Sequence, residues 1–280
     1  MATKVVKSRG KGKRVAVLID YKKTLTPVSA HKPLLVSLKK RTARNSMGRI
    51  TTRSRANPFH RRKYRLVDFS RKDKMDISAR IESVEYDPNR TAFIMLALYK
   101  DGERRYHIAP DGIKVGDTIV CSQSALVKPG NRTFLKNLLP GTEVFEVELT
   151  PGSGAKFARS AGSRVIVSGF DEKYCFLKMP SKEMRKVSKE CLATIGRPSN
   201  IDLKNVKLAK AGRARWKGLR PKVRASVMNP VDHPYGGGEG RTQRGTKRPK
   251  TKRGKVTGGR RTRRTKRSSS KLIVKRRSKK

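Results

Sequence analysis

ISARIESVEYDPNRTAFIMLALYKDGERRYHI, residues 77–108, decides the fold. Ile77, Ala79 and Ile81 alternate, then Val84 and Tyr86 alternate in the opposite phase, as a β-bulge between the two runs would produce. Asp87-Pro88-Asn89 reads as a turn, Ile94, Leu96 and Leu98 face one side of the next strand, and Asp101-Gly102 closes a tight hairpin onto Arg104, Tyr106 and Ile108. With a further strand near residues 117–121, this meander predicts a small closed barrel.

A second β unit follows Pro140-Gly141. Short strands at 144–149, 165–167, 174–177 and 184–187, separated by Gly, Pro and Ser turns, predict a second small barrel, with the boundary near residue 137. GSGAKFARSAGS, residues 152–163, carries Lys156, Arg159 and Ser160 on a loop without an acid. Its G-x-G lettering lacks the helix pattern of a dinucleotide site, so a contact to a phosphate backbone fits it better. Asn200 is expected to cap a short amphipathic helix through Ile201, Leu203, Val206, Leu208 and Ala209, stopped by Gly212.

The charge sits at the ends. Residues 1–60 hold 16 Lys and Arg against one acid, 61–200 hold 26 against 17, and 201–280 hold 29 against three, within a net charge of +50. The middle is balanced like an ordinary globular domain, whereas the ends repel themselves and need a polyanion to compact. Nucleic acid is the partner this predicts. A membrane surface fits less well, because the tail has no apolar face, and the apolar run 92–98 is far short of the roughly 20 residues that span a bilayer. Residues 15–19 are too short for a signal-peptide core and are followed by Asp20, which predicts a cytoplasmic protein. Cys121, Cys175 and Cys191 form no C-x-x-C pair and read as small apolar residues in a reducing compartment rather than zinc ligands or disulfides.

Residues 1–60 read as an extended basic arm broken at Pro27 and Pro33, with an apolar knot at 31–38 able to dock on the globular part. Between residues 45 and 65, Arg49, Thr51, Thr52, Arg53, Arg55, His60, Arg61, Arg62, Tyr64 and Arg65 combine guanidinium forks, hydroxyls and rings with no acid. That mixture can hold phosphate, reach a 2′-OH and stack on unpaired bases; the competing reading is a solvated basic face over core aromatics. GRARWKGLRPKVR, residues 212–224, adds Arg213, Arg215, Arg220, Arg224 and the lone tryptophan, Trp216, either a core anchor or a stacking platform.

RASVMNPVDHPYGGGEGR, residues 224–241, holds the one Gly-Gly-Gly of the chain between Pro230 and Pro234 on one side and Arg241 on the other. It must be a shaped loop, and glycine lets its backbone lie close to a phosphate–sugar chain. Asn229, His233, Tyr235, Gly236, Gly237, Gly238 and Arg241 are its expected RNA contacts. Asp232 and His233 would suggest a hydrolase, but no nucleophile, second acid or metal cluster accompanies them, so His233 is read as an RNA donor or loop pin and Asp232 as a turn residue. Glu239 accepts a loop amide or helps hold a hydrated Mg²⁺ on RNA; no other cofactor and no metal site of the protein's own is expected. Residues 241–280 hold 20 Lys and Arg and no acid, and are expected to order only along RNA, with contacts from Lys247, Arg248 and Arg276.

The loop MNPVDHPYGGGEGR, residues 228–241, resembles the hallmark loop of the bacterial-type large-subunit ribosomal protein L-two family. NSMGRITTR (45–53), YRLVDF (64–69), EYDPNR (85–90), YKDGERRY (99–106), FARSAGS (157–163), EMRKV (183–187) and AGRARWKGLRPKVR (211–224) are similar to family motifs, in family order. The resemblance implies a mainly β chain: a basic extension at 1–60, an OB-like barrel at 61–136, an SH3-like barrel at 137–200, and a short helix, glycine loop and basic extension at 201–280. It implies large-subunit ribosomal RNA as partner, with neighbouring ribosomal proteins and the small subunit across the interface. The implied role is structural, in subunit assembly and association and in the shape of the peptidyl-transferase region, where RNA does the chemistry and the protein is not an enzyme. Three features depart from the family: Tyr235 stands where a His is usual, residues 56–60 replace a glycine-rich turn, and the tail lacks a proline-tryptophan segment. The rival reading is a general nucleic-acid-binding or DNA-compacting protein; it needs only charge, and leaves the glycine loop and two barrels unexplained.

Overall fold

The computed structural model describes residues 3–6, 15–38, 44–51, 62–240, 242–259, 262–264 and 266–277. It divides into two compact units, one of Met1–Lys39, Arg61–Ala211 and Lys271–Lys280, the other of Lys40–His60 and Gly212–Ser270. Each basic extension is thus shared between the units, unlike the four consecutive segments read from the sequence.

Unit 1 is mainly β. It begins with β1 (Thr3–Val6) paired to β2 (Ala16–Ile19), then one helical turn, α1 (Tyr21–Thr24), and the ribbon of β3 (Leu35–Ser37) and β4 (Lys63–Arg65). The expected apolar knot docks: Leu34 packs on Ile94, Leu96 and Tyr106, and the His31 N–H donates to the Tyr106 hydroxyl at 2.8 Å. β5 (Ala79–Glu85), β6 (Ile94–Tyr99), β7 (Arg104–Ile108) and β8 (Thr118–Ile119) make an antiparallel sheet in the order β7-β6-β5-β8. Its register shifts between Ile81 and Ser83, where the alternation changed phase. The bulge curls the sheet into an OB-like barrel around Ile81, Phe93, Met95, Ala97 and Ile119, each large side chain contributing roughly 1.5–3 kcal/mol by burial.

The second, SH3-like barrel follows. Its strands are β9 (Arg132–Phe134), β10 (Glu143–Phe145), β11 (Val147–Glu148), β12 (Ala155–Phe157), β13 (Val165–Phe170), β14 (Tyr174–Lys178), β15 (Met184–Ser188), β16 (Leu192–Ile195) and β17 (Ile273–Lys275). Seven of them pair as β17-β15-β14-β13-β10-β16-β9, with β11-β12 as a side ribbon, over Leu135, Val144, Val165, Leu177 and Val187. β9, Leu135 and Leu138 therefore belong to this barrel, ahead of the expected boundary near 137. Pro140-Gly141, which read as its entrance, is a turn inside it, with Gly141 donating to the Val167 carbonyl at 2.7 Å.

Two local expectations are corrected. Asn200 lies in the left-handed region at φ 64° and caps nothing; its side-chain amide donates to the Thr91 carbonyl at 2.6 Å. Only a 3-10 turn, Ile201–Asn205, follows, because Leu203 and Val206 are drawn onto the first core, and Gly212 falls within α2 (Ala211–Trp216) rather than ending a helix. Nor is the tail without structure of its own. β17 pairs with β15, and Lys250 bridges Val256 in a small hairpin closed by Thr251 to Lys255 (2.8 Å) and Thr257 to Pro249 (2.7 Å). These pieces are held by backbone hydrogen bonds with little apolar burial, which is why hydropathy gave no sign of them.

Unit 2 is built differently. Among its described residues no apolar cluster forms, and the buried side chains are His233 and Tyr235.

Candidate nucleic-acid interface

In unit 1 the β5–β6 turn is tied to β4. Asn89 donates to the Lys63 carbonyl at 2.8 Å, and Arg62 Nη1 to the Pro88 carbonyl at 2.9 Å. The tie delivers Arg90 to two rings: its guanidinium lies 5.5 Å from the Tyr64 centroid and 5.0 Å from that of Phe69, with the fully buried Asp87 carboxylate 3.1 Å from its Nε. Arg159, exposed on the loop after β12, reaches the same Phe69 ring at 4.8 Å. One ring from the first barrel thus orients one guanidinium from each barrel. Cation–π contact holds each guanidinium on the ring; Arg90, its side chain 16% exposed, also donates from Nη2 to the Tyr64 hydroxyl at 3.1 Å, whereas Arg159 is exposed and can offer its N–H groups to phosphate.

The barrels meet over an apolar cluster of Ala92, Ile108 and Phe145, and beside it runs a line of buried charge. Arg71, 1% exposed, donates from Nε to His107 Nδ1 at 3.1 Å, from Nη1 to the Gly130 carbonyl at 3.1 Å and from Nη2 to Glu146 Oε2 at 3.4 Å. Arg132, fully buried, donates to the Glu146 carbonyl at 2.9 Å, to Thr194 Oγ1 at 3.2 Å and to Glu148 Oε1 at 3.4 Å. Glu148 Oε2 accepts from the backbone of Gly152 and Leu192. His107 Nδ1 faces both Arg71 Nε at 3.1 Å and the Asp68 carbonyl at 3.3 Å, and its Nε2 meets the Tyr99 hydroxyl at 2.9 Å. Burial, then the Arg71 charge, hold its pKa well below the usual imidazole value. Burial raises the pKa of Glu146, against the pull of Arg71 and Arg132. Burial also opposes ionisation of Asp68, but the amides of Ser70 and Arg71 and the Arg105 guanidinium outweigh it and hold that carboxyl down to about 2.

In unit 2 the glycine loop closes on itself. The Asn229 carbonyl accepts from Asp232 (2.9 Å) and His233 (3.2 Å), Gly236 donates to the His233 carbonyl (2.9 Å), and Gly237 to that of Met228 (3.2 Å). His233 Nδ1 accepts from the Tyr235 amide at 3.1 Å, and the two rings pack at 4.9 Å. His233 is therefore the loop's pin. The Tyr235 hydroxyl is also engaged, with Arg248, Thr246 and Lys250 as its partners, so the phenol ties the loop to the tail. The glycines have an internal reason. At Gly236 a Cβ would overlap the carbonyls of Asn229 and Met228, and at Gly237, φ +84°, it would lie 2.7 Å from Pro230 Cγ.

Of the residues expected to touch RNA, unit 1 brings Arg62, Tyr64, Arg65 and Arg159 to the neighbourhood of Phe69, or to the strand beside it, and leaves Lys156, Ser160 and Arg276 exposed. Unit 2 carries Arg49, Thr51, Arg213, Arg215, Trp216, Arg220, Arg224, Asn229, Gly238, Lys247 and Arg248; Trp216 is 55% exposed, which removes its core-anchor reading. Thr52, Arg53, Arg55, His60, Arg61, Arg241 and the turn at 56–60 lie outside the described residues. Arg90 and Phe69 were missed. They sit in motifs the sequence offered, but nothing along one dimension says that positions 69, 90 and 159 meet.

No helix among the described residues is long and apolar enough to cross a membrane, and Cys121, Cys175 and Cys191 are buried and unpaired. The family described as Ribosomal Proteins L2, RNA binding N-terminal domain, matches residues 31–121, and that described as Ribosomal Proteins L2, C-terminal domain, matches residues 128–254. The join between the matches falls just ahead of β9, where the second barrel begins. With an RNA-binding barrel, a second barrel locked to it, and a pinned glycine loop on a chain of net charge +50, this chain belongs to the ribosomal protein L2 family and is a structural, ribosomal-RNA-binding constituent of the large subunit.

Proposed function

We propose that unit 1 grips a bent or junctional piece of large-subunit ribosomal RNA between Arg90 and Arg159, and that the loop around Gly236, Gly237 and Gly238 enters a tight RNA cavity. The placement of one guanidinium from each barrel on the Phe69 ring carries this reading. Two forks held by one ring have a fixed separation, so they select phosphates of a given spacing, where a flexible lysine tail would accept any polyanion. Seated so, the protein supports subunit assembly, subunit association and the shape of the peptidyl-transferase region; it acts by holding RNA and catalyses nothing itself. Its further partners are neighbouring ribosomal proteins and the small subunit, in the cytoplasm, with Glu239 beside hydrated Mg²⁺ on the RNA. Arg159→Ala should weaken binding to large-subunit RNA by roughly tenfold, the order expected for losing a charge-assisted fork. Removing one exposed tail lysine should change it far less. Equal losses would refute the assigned grip.

A further inference from the structure

The cation-bearing β5–β6 turn has a second neighbour that neither the family match nor the assigned contacts use. Tyr86, at the foot of that turn, is 44% exposed and lies 5.1 Å, centroid to centroid, from Tyr21 of α1, itself 41% exposed. The rings are inclined at 57°, and Tyr21 also meets the buried Phe93 edge-on at 6.2 Å. Together they form an aromatic corner in which both Tyr21 and Tyr86 stay exposed while Phe93 is buried.

The corner is rigid. Ile19, just before α1, is buried in the first core, and Leu25, just after it, packs on the same core. The Thr26 amide donates to the Val84 carbonyl at 3.0 Å, and the Val84 amide donates to Thr26 Oγ1 at 3.1 Å. Tyr21 is therefore stapled to β5 from both sides. The corner is also electropositive. Lys22 and Lys23 are exposed in the same turn, while Asp20 pairs with Lys4 at 3.7 Å, Asp87 with Arg90 at 3.1 Å, and Glu85, next to Tyr86, is buried under the hydroxyls of Ser83 and Tyr106. Burial and the neighbouring Tyr86 raise the Tyr21 pKa above its ordinary value, so the phenol stays neutral beside phosphate.

We propose that Tyr21 and Tyr86 form a stacking seat for a single unpaired RNA nucleotide, with Lys22 and Lys23 holding its flanking phosphates. This rests on the RNA-binding reading above and extends it, since the Arg90 and Arg159 forks contact backbone whereas this seat takes a base. Stacking is tolerant of base identity, so the seat fixes the position of an extruded nucleotide more than its sequence.

The test uses the full chain and isolated large-subunit ribosomal RNA, with affinity measured across a salt series. Tyr21→Leu keeps an apolar cap on Phe93 but removes the π face; it should weaken binding about tenfold with an unchanged salt slope, and Tyr21→Phe should restore it. Lys22→Ala with Lys23→Ala should instead flatten the slope by about two. In parallel, ultraviolet crosslinking should place one nucleotide on Tyr21 or Tyr86, and lose that adduct in Tyr21→Leu. Wild-type affinity in Tyr21→Leu with no crosslink at either ring would overturn the seat and leave Tyr21 as a core cap. Failure of Arg159→Ala to weaken binding while Tyr21→Leu does would break the grip reading and keep the seat, so the two fail separately.

Discussion

Two arginines of unit 1 are fully buried, whereas none of the described arginines of unit 2 is. In the barrels, Arg71 and Arg132 are at most 1% exposed, with Glu146 and Glu148 beside them, and Arg105 is held by Asp68, Asp73 and Glu103. Unit 2 contains 26 Lys and Arg against two acids, Asp232 and Glu239, and its described part buries little beyond a His–Tyr pair. The first has 19 acids for its 45 Lys and Arg, enough to pair the arginines it buries, and folds on apolar cores. The second has two acids and no apolar cluster among its described residues, and is held by hydrogen bonds. The same residue type thus serves as mortar where apolar cores and acids enclose it, and as surface charge where they do not.

The largest effect is expected at the buried charges. Glu146→Ala would leave Arg71 without its buried carboxylate and the Thr194 hydroxyl without its acceptor, and should destabilise unit 1 by about 3–5 kcal/mol in a urea titration, far more than a single tail lysine could. A loss below about 1 kcal/mol would mean the seam does little to join the barrels. Gly236→Ala should leave the unit 1 transition in place yet lower incorporation into large-subunit particles roughly tenfold or more, because the added Cβ meets two backbone carbonyls that have no room to yield. Incorporation at the wild-type level, read by quantitative mass spectrometry of particles, would show that the loop's shape is dispensable.

A smaller effect is expected from His107. Its folded pKa is depressed, so the native state binds fewer protons than the unfolded chain; its stability contribution is intact above an unfolded pKa of about 6.5 and declines as pH falls below that value. His107→Gln should therefore show a flatter loss of stability than wild type on acidification from pH 7 to 5. Identical slopes would mean that His107 protonates freely. Least of all should be seen with thiol reagents. Burial pushes Cys175 and Cys191 up to about 12, so both should resist labelling at neutral pH until unit 1 unfolds; fast labelling of the native protein would contradict the closed second core.

The barrels were legible because strand alternation and turn chemistry are local: the phase change at residues 81–84 is the bulge itself, and Asp101-Gly102 is the hairpin. The seam was not, since Arg71, His107, Arg132, Glu146 and Glu148 are spread over 78 positions and look like ordinary surface charges until two sheets close on them. The glycine loop was recognised as a shaped loop for a sound reason, but its need for glycine at position 236 is at least partly internal, set by the Asn229 and Met228 carbonyls. The Phe69 cluster and the Tyr21–Tyr86 corner are likewise products of topology, since β4, the β5–β6 turn and the loop after β12 meet only in three dimensions.

The most direct test of shape against charge is sedimentation of a cell lysate through gradients at low and then high salt, following this chain by mass spectrometry. The account predicts about one copy per large-subunit particle, retained after the salt wash because rigid forks and a pinned loop are seated in RNA. Release into the free pool, or movement with DNA, would mean that charge alone was holding it.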